Sequence, residues 1–277
     1  MMATANAERR TDYKDLTRGL RVDIIRMLEK AGSGHPGGSL SIIDILAVLY
    51  DKHFQHRPQE PNWPDRDRMV LSKGHACPAL YALMAHHGYF PKPQLDTLRK
   101  LGSPLQGHPD RMRLPGIEVS TGSLGQGLSI AQGMAMSAKM DAKGYHTWCV
   151  LGDGEMQEGQ IWEALMSAPK FGLGNLTAIL DFNNSQIDGS MEEVMNLNPI
   201  ADKIRAFHWN VIEFDGHDFE QIEAAILKAK SSKIPSFLIA KTVKGKGVSF
   251  MENQIGWHGK APNKEEADKA CEEIRHG

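Results

Sequence analysis

Four apolar runs rich in strand-forming residues most constrain the fold of this 277-residue chain. They read TWCVLG, LTAILDF, NVIEFDG and PSFLIAKT, and a shorter run, MVLS, precedes them. The segments between the runs carry helical patterns, clearest in DFEQIEAAILKAKSS. Strands that alternate with helices predict an α/β fold with a mostly parallel sheet and helices on both faces. In such folds, ligands bind beyond the carboxyl ends of the strands.

Three helical patterns precede the four runs. Apolar residues recur at helical spacing from Asp12 to Lys30, and the glycine-rich stretch GSGHPGG then ends the pattern. A second helix is predicted from Ser41 to about Tyr50, with Ser41 and Asp44 at the spacing of an N-terminal capping box. The stretch STGSLGQGLSIAQGMAMSAKM predicts a loop that opens a long helix, whose small side chains permit close packing.

Composition limits the class of protein. An apolar content of 41% suits one large α/β domain, or at most two small ones. The formal charge of −2 provides no general field for nucleic acid or an acidic membrane. Three cysteines argue against a disulfide framework and indicate a reducing cytoplasm. Residues 1–10 lack a signal peptide's apolar core and are expected to be disordered, and no run is long enough to span a membrane.

An acidic turn raises the question of what it binds. Asp153 follows one strand run, and Asn183 follows the next, so adjacent parallel strands would bring them together. With a nearby backbone carbonyl such as that of Ser185, they offer hard oxygen ligands for magnesium or calcium, which would stand between the acid and a phosphate. An ordinary turn residue is the alternative for Asp153. An EF-hand is excluded, because positions six and twelve of its loop would hold Glu158 and Ala164.

The motif order points to one family. GDG, 28 residues and then NN is the spacing of a thiamine diphosphate-binding motif, and here the sequence resembles transketolases. The motifs GSGHPGG, SKGH, GHP and STGSLGQG precede GDGEMQEGQIWEA, and NNSQIDG, KTVKGKGVSFME and WHGKAP follow it. The resemblance implies that residues 1–277 form a single diphosphate-binding domain. It also implies that the pyrimidine-binding and C-terminal domains lie on a partner, the C-terminal transketolase subunit, with two copies of each chain in the assembly.

The resemblance assigns roles to individual residues. The implied metal ligands, for magnesium or for calcium or manganese in its place, are Asp153, Asn183 and the carbonyl of Ser185. The implied catalytic residues, around the thiazolium and the donor sugar, are His35, His108 and His258. The implied cofactor-binding residues are His75, Gly122, Ser123, Leu124, Gly154, Glu155, Glu163, Asn183 and His258. Imidazole suits proton transfer because its ordinary pKa of about 6.5 lies near working pH.

Several of these residues have plainer alternatives. Any one histidine is more often structural, and a zinc site is disfavoured because the four do not pair at i, i+3 or i+4 spacing. Transketolases commonly have proline at the position of Ser123, which leaves the backbone contact but changes loop rigidity. Glu158 and Glu163 match acids at a contact between chains or form a solvated helix face. The lysines of KTVKGKG either face phosphate or are solvated.

The implied activity is that of a transferase, active only with its partner. It moves a two-carbon ketol (glycolaldehyde) unit from a ketose phosphate to an aldose phosphate, with pentose phosphates as the default substrates. Another thiamine diphosphate enzyme, similar to deoxyxylulose-phosphate synthase or to 2-oxoacid dehydrogenases, is an alternative, although GHP at His108 and WHG at His258 favour transketolase. A non-catalytic cofactor-binding module is a second alternative, against which the intact metal and histidine residues argue.

Overall fold

Five strands form a single sheet in residues 11–186 and 188–277, the part of the chain that the computed structural model describes. They are β1 (Arg68–Leu71), β2 (Thr147–Gly152), β3 (Leu176–Phe182), β4 (Asn210–Asp215) and β5 (Ser236–Lys241). The spatial order is β1-β2-β3-β5-β4, and every neighbouring pair is parallel. The predicted parallel sheet is confirmed, and each of the five apolar runs forms a strand. The disorder expected of residues 1–10 lies outside the described residues.

Helices cover both faces of the sheet. They are α1 (Tyr13–Ala31), α2 (Pro36–Val48), α3 (Cys77–His86), α4 (Gln126–Met140), α5 (Gly159–Lys170), α6 (Met191–Met195), α7 (Ile200–Ala206), α8 (Phe219–Ser231) and α9 (Lys264–His276). Successive side chains of β2 point to opposite faces. Trp148 and Val150 therefore join the core formed with α1, α2, α3, α8 and α9. Cys149 and Leu151 join the core formed with α4, α5 and α7.

The helix starts follow local chemistry. Asp12 caps α1 by accepting from the backbone N–H groups of residues 14 and 15, and Gly32 ends the helix with a positive φ of 67°. The predicted start of α2 at Ser41 is wrong, because the helix begins at Pro36. Proline suits the first turn, where its missing N–H group is not needed. Ser41 instead lies inside the helix and donates to the carboxylate of Asp181, 2.6 Å away.

The parallel strands place the segments that follow them at one edge of the sheet. The turn after β1 carries His75, the turn after β2 carries Asp153, and Asn183 follows β3. Gly152 pairs with Asp181 in the register of β2 and β3, so Asp153 and Asn183 lie side by side as predicted. Within the described part of the chain, no helix has the length and hydropathy needed to cross a bilayer.

Candidate active site

A cleft of about 310 Å³ opens at this edge of the sheet. It brings together most of the residues that the sequence singles out, although they come from many separate segments. Those that line it are His35, His75, His108, Gly122, Leu124, Asp153, Gly154, Glu155, Asn183, Ser185 and His258. Ser123 and Glu163 are not among the lining residues, and both are exposed. The contacts expected of Ser123 and Glu163 therefore stay predictions.

Oxygen atoms from the ends of β2 and β3 converge on one side of the cleft. Asp153 is 3% exposed, and its carboxylate accepts from the backbone N–H groups of Gly154 at 2.8 Å and Ser185 at 3.3 Å. The Asn183 side chain donates to Asp181 at 3.2 Å, while its Oδ1 atom is buried without a hydrogen-bond partner. Burial, followed by the charge of Asp181, raises the pKa of Asp153 to about 6.

This oxygen cluster fits a hard divalent cation. A carboxylate held at high pKa by burial and an unpartnered amide oxygen both gain from a nearby positive charge. The carbonyl of Ser185 adds a third oxygen. It lies 3.4 Å from the Lys244 ammonium, which is long for a hydrogen bond. No group of three or more His, Cys, Asp or Glu side chains in residues 11–186 and 188–277 is arranged to hold a metal. The zinc alternative therefore has no support in the described structure.

Two buried lysines lie beside the oxygen cluster. Lys244 is 1% exposed, and its ammonium lies 3.2 Å from the Ser185 hydroxyl and 2.9 Å from Nδ1 of His258. Burial lowers the pKa of Lys244 to about 8. Lys73 pairs with Asp181 and donates to the carbonyl of Gly38 at 3.0 Å. The two ammonium groups favour an anionic ligand in the cleft.

Four histidine rings form a cluster across the cleft. The centroid of His35 lies 5.3 Å from that of His75, 6.2 Å from that of His108 and 5.6 Å from that of His258. Burial, with nearby cationic groups, lowers the pKa of His35 to about 4 and that of His258 to about 3. The same two causes lower the pKa of His75 and of His108. All four are therefore neutral near pH 7, and each ring has one donor and one acceptor nitrogen, although Nδ1 of His258 already faces the Lys244 ammonium.

Glu155 lines the cleft and also has a structural role, while its predicted part in cofactor binding stays a prediction. It is 2% exposed, and its carboxylate accepts from the Ser72 hydroxyl and from the backbone N–H groups of Gly125 at 2.9 Å and Gly152 at 3.1 Å. Both oxygens are thus committed to protein groups. These three hydrogen bonds fasten the loop before α4 to the ends of β1 and β2.

The pattern of the sequence misses Lys73 and leaves Lys244 undecided. Lys73 lies in the motif SKGH, but its partner Asp181 is 108 residues away, so the pair cannot be seen locally. For Lys244, the available signal is a lysine placed between a strand and glycines. Its neighbours Lys241 and Lys246 are indeed solvated, with side chains 65% and 38% exposed. One of the three lysines therefore enters the cleft, and two do not.

Comparison with known proteins identifies the family. Residues 10–275 match the family described as "Transketolase, thiamine diphosphate binding domain". The chain belongs to this family. The resemblance predicted from the ordered motifs is thereby confirmed, and so is the fold class, since the structural relatives are transketolases.

Two similar proteins are subunits of about the same length as this chain. The first is the 6-deoxy-6-sulfo-D-fructose transketolase subunit SqwG of Clostridium sp. (strain MSTE9). It is 46% identical over 253 residues, which are 91% of this chain and 92% of that protein. The second is a subunit of the apulose-4-phosphate transketolase of Phocaeicola vulgatus, which is 43% identical over 92% of this chain and 90% of its own length. Both names describe one subunit of a transketolase.

Other relatives are much longer. Human transketolase is 41% identical over 94% of this chain, which covers 42% of its length. The crystal structure of Campylobacter jejuni transketolase matches with a TM-score of 0.90 at 37% identity, over 95% of this chain and 42% of that one. Leishmania mexicana transketolase gives a TM-score of 0.91 at 31% identity, over 96% of this chain and 41% of that one. The chain is thus a transketolase-type, thiamine diphosphate-binding subunit of a transferase, and it spans less than half of these longer relatives.

Proposed function

We propose that this chain is the cofactor-binding subunit of a two-chain transketolase, which transfers a two-carbon ketol unit from a ketose phosphate to an aldose phosphate. The observation that carries the proposal is the arrangement of the cleft. An unpartnered amide oxygen of Asn183 and the carboxylate of Asp153 lie beside the Lys244 ammonium and a cluster of neutral histidines. The two oxygen-bearing side chains suit a magnesium ion, the ammonium suits an anionic cofactor tail, and the histidines suit proton transfer.

The cation in this proposal is held by the oxygens of Asp153, Asn183 and the Ser185 carbonyl. Magnesium commonly keeps water and phosphate oxygens in its remaining positions, which suits a site with only three protein ligands. Calcium or manganese would be held by the same oxygens. The cation offsets the charge that burial disfavours on Asp153, and it takes the position that satisfies Oδ1 of Asn183.

Lys244 and Gly154, together with this cation, are proposed to hold the diphosphate of thiamine diphosphate. The Lys244 ammonium already lies in the cleft and keeps enough charge near pH 7 to bind a phosphate oxygen, since its pKa is about 8. Gly154 lines the cleft directly after Asp153 and has no side chain that would keep a phosphate away from the backbone. His75, Gly122, Leu124 and Asn183 are proposed to complete the cofactor site.

Catalysis in this proposal divides between the cofactor and the protein. When bound, thiamine diphosphate supplies the nucleophilic carbon and the electron sink for cleaving a bond next to a ketose carbonyl. His35, His108 and His258 supply neutral imidazoles that accept a proton from a sugar hydroxyl and return it. Burial keeps their pKa values low, so they are unprotonated before the sugar binds.

The partner in this proposal is a C-terminal transketolase subunit with a pyrimidine-binding domain, present in two copies together with two of this chain. This chain would act as one diphosphate-binding domain over residues 1–277, in the cytoplasm. The naming of two relatives as subunits and the 42% coverage of human transketolase support such a division. Ser123 and Glu163, which are exposed in the single chain, are proposed to meet the cofactor and the partner in the assembly.

The proposed donor is a ketose that carries a terminal anionic group. The names of two relatives specify 6-deoxy-6-sulfo-D-fructose and apulose 4-phosphate, so a sulfonate or a phosphate is the anion that we propose. Pentose phosphates stay the default prediction within that class. The same anionic class fits the acceptor aldose.

The test uses the full chain together with magnesium and candidate C-terminal subunits. Pentose ketose phosphates, apulose 4-phosphate, 6-deoxy-6-sulfofructose and pyruvate are offered as donors, and the aldose products are measured. We expect ketol transfer that Asp153→Ala abolishes and that Asp202→Ala, on the exposed surface of α7, leaves unchanged. Transfer that survives Asp153→Ala contradicts the metal assignment. Turnover of pyruvate alone supports the synthase or dehydrogenase alternative, and cofactor binding without any turnover supports the non-catalytic module.

A further inference from the structure

Buried Arg21 and Asp44 form a polar cluster with His217, whose side chain is 13% exposed, and the cluster does not line the cleft. They come from α1, α2 and the turn after β4. Asp44 Oδ2 lies 2.6 Å from the Arg21 guanidinium and 2.7 Å from Nδ1 of His217. The Asp44 side chain is 4% exposed, and its Oδ1 atom has no hydrogen-bond partner. A carboxylate buried with one unpartnered oxygen is costly, so this cluster calls for an explanation.

The hydrogen bonds fix the protonation of His217. The backbone N–H of Val243 donates to Nε2 of His217 at 2.9 Å, so Nε2 carries no proton. The ring proton is therefore on Nδ1 and is donated to Asp44. Asp44 orients the imidazole, and the imidazole holds a backbone N–H group at a defined position. This chain of contacts is directional, because neither ring nitrogen can exchange its role without losing a partner.

The same cluster holds the loop of residues 242–247 at two points. His217 binds the N–H of Val243, and Arg21 donates through Nε to the carbonyl of Lys246 at 3.1 Å. Lys244 lies between these two points, and its side chain enters the cleft to reach Ser185 and His258. The cluster thus fastens the backbone on both sides of the one lysine of the loop that is fully buried.

Burying a lysine requires a fixed backbone. The side chain loses rotamer freedom and the ammonium loses hydration, so a mobile loop would return the ammonium to water. Stability alone does not account for the cluster, because buried ion pairs can often be replaced by apolar groups without loss. If the cluster instead sets the position of Lys244, that task explains why the cluster is retained and why it contacts the loop on both sides of this lysine.

We infer that His217, oriented by Asp44, is a positioning residue that holds the loop of residues 242–247 so that the Lys244 ammonium stays in the cofactor cleft. The geometric part concerns this chain alone. Its consequence, tighter binding of the cofactor's diphosphate, rests on the proposed function. The two parts are therefore tested by separate measurements.

The first measurement is the acylation rate of individual lysines in the full chain. The reaction runs at pH ~8, near the pKa of Lys244, and mass spectrometry quantifies the product at each lysine. Lys241 is the reference for an exposed lysine next to the same loop, since its side chain is 65% exposed. Lys73 is 1% exposed, lies outside the loop and lines the same cleft, so it reports opening of the cleft or the fold that does not depend on the loop. In the native protein we expect Lys244 to react much more slowly than Lys241.

Two variants of one residue separate the contacts of His217. His217→Asn places an amide near the position of Nδ1, which keeps the contact with Asp44 and loses the contact with Val243. His217→Gln carries its amide to the position of Nε2 and keeps an acceptor for Val243. We expect His217→Asn to raise the reaction rate of Lys244 about fivefold relative to Lys241, the size expected for one lost hydrogen bond. We expect His217→Gln to change this rate less than about twofold.

The outcomes decide the inference. An unchanged rate for Lys244 in His217→Asn overturns it, and so does a rise shared equally by Lys73, since that is opening of the fold and not of the loop.

The second measurement is calorimetry with thiamine diphosphate and magnesium in the presence of the partner chain. We expect affinity to fall about fivefold in His217→Asn and to be retained in His217→Gln. If the native assembly binds no cofactor, the proposed function fails, while the acylation rates still decide the position of Lys244.

Discussion

At the scale of single residues, the half-buried Asn183 has a side-chain oxygen in the cleft that a ligand would satisfy. Its Oδ1 atom is buried without a hydrogen-bond partner, although its amide nitrogen donates to Asp181. Leaving a buried acceptor unsatisfied costs about 1–3 kcal/mol, so such atoms are rare in native proteins. In the proposed function, a cation held by this oxygen and by Asp153 would remove that cost.

Replacing Asn183 with leucine is predicted to separate binding from stability. Asn183→Leu removes the unpartnered oxygen but also the bond to Asp181, so we expect the free energy of unfolding to change by less than about 1 kcal/mol. We expect magnesium-dependent binding of thiamine diphosphate to weaken by roughly tenfold or more, because a metal ligand is lost. Chemical denaturation and calorimetry measure the two effects.

A matched variant at the other end of the sheet serves as the control. Asn175 donates to the carbonyl of Ala135 at 3.0 Å and lies outside the cleft. Asn175→Leu should lower stability by about 1 kcal/mol and leave cofactor affinity unchanged. Equal loss of affinity in both variants would mean that Asn183 acts through the fold and is not a ligand.

The sequence predicts the residues of this site whose chemistry is carried by a motif. Asp153, Asn183 and the histidines can be found because each lies in a short glycine-containing pattern or next to a strand. The tasks of Lys73 and Glu155 cannot be found, since they follow from partners that are distant in the chain. Glu155 meets Ser72 from 83 residues away, and only the completed fold shows this contact.

At the scale of elements, α4 shows how closely a helix start is packed against a strand end. A Cβ atom on Gly127 would lie 2.2 Å from the hydroxyl of Ser72 and 2.9 Å from its Cα atom. A Cβ atom on Gly133, further along the same helix, would meet nothing within 4 Å. The two glycines therefore make a matched pair in one element.

Alanine at these two positions is predicted to have opposite effects. Gly127→Ala forces the helix away from Ser72 and should lower the free energy of unfolding by about 2 kcal/mol. Gly133→Ala removes backbone freedom from the unfolded chain and should raise that free energy by about 0.5–1 kcal/mol. Urea denaturation of the chain without its partner provides the measurement. Destabilisation by both substitutions would contradict the open space that the structure shows around Gly133.

The entry to β2 gives a pH dependence that is independent of the cleft. His146 precedes the strand, and its Nε2 atom lies 2.8 Å from the hydroxyl of Thr177. Burial lowers the pKa of His146 from 6.5 to about 3. Since the folded pKa lies below the unfolded one, the contribution of the neutral ring is complete above pH ~6.5. It is lost as the pH falls from the unfolded pKa toward the folded one.

His146→Gln is predicted to remove part of this acid sensitivity. Between pH ~8 and pH ~5 the native protein should lose about 2 kcal/mol that the variant keeps, because an unfolded histidine gains its proton over that range. The free energies of unfolding of the two proteins at both pH values give this difference, and any packing defect of the variant cancels. Parallel acid sensitivity in the two proteins would contradict a neutral, buried His146.

The same scale shows what a sequence pattern misses in an element. Strand positions follow from apolar runs that need no knowledge of their neighbours, and all five are predicted. The predicted start of α2 is misplaced because glycine usually breaks a helix. Gly37 and Gly38 lie inside the helix, where Cβ atoms would come within 2.9 Å of the Lys244 side chain and 3.2 Å of the Lys73 ammonium. The two glycines leave room for the two lysine side chains. This need comes from tertiary packing, so the local sequence does not show it.

At the scale of the whole molecule, the proposed function divides the site between this chain and a partner. The chain covers 92% and 90% of two transketolase subunits of similar length but 42% of human transketolase. Two predicted site residues, Ser123 and Glu163, are exposed in the single chain. A cofactor that contacts both chains must then stabilise their association, because each chain binds the cofactor better when the other is present.

The linkage between cofactor and assembly gives a quantitative prediction. With thiamine diphosphate and magnesium at about 100 times the dissociation constant, association of the two chains should tighten by about 2.7 kcal/mol, or about a hundredfold. Asp153→Ala should remove this increase and leave association without cofactor unchanged, since Asp153 is 3% exposed and cannot reach a partner surface. Sedimentation equilibrium with and without cofactor measures both values. Equal affinity in the two conditions would place the cofactor entirely within one chain and would remove the reason for a shared site.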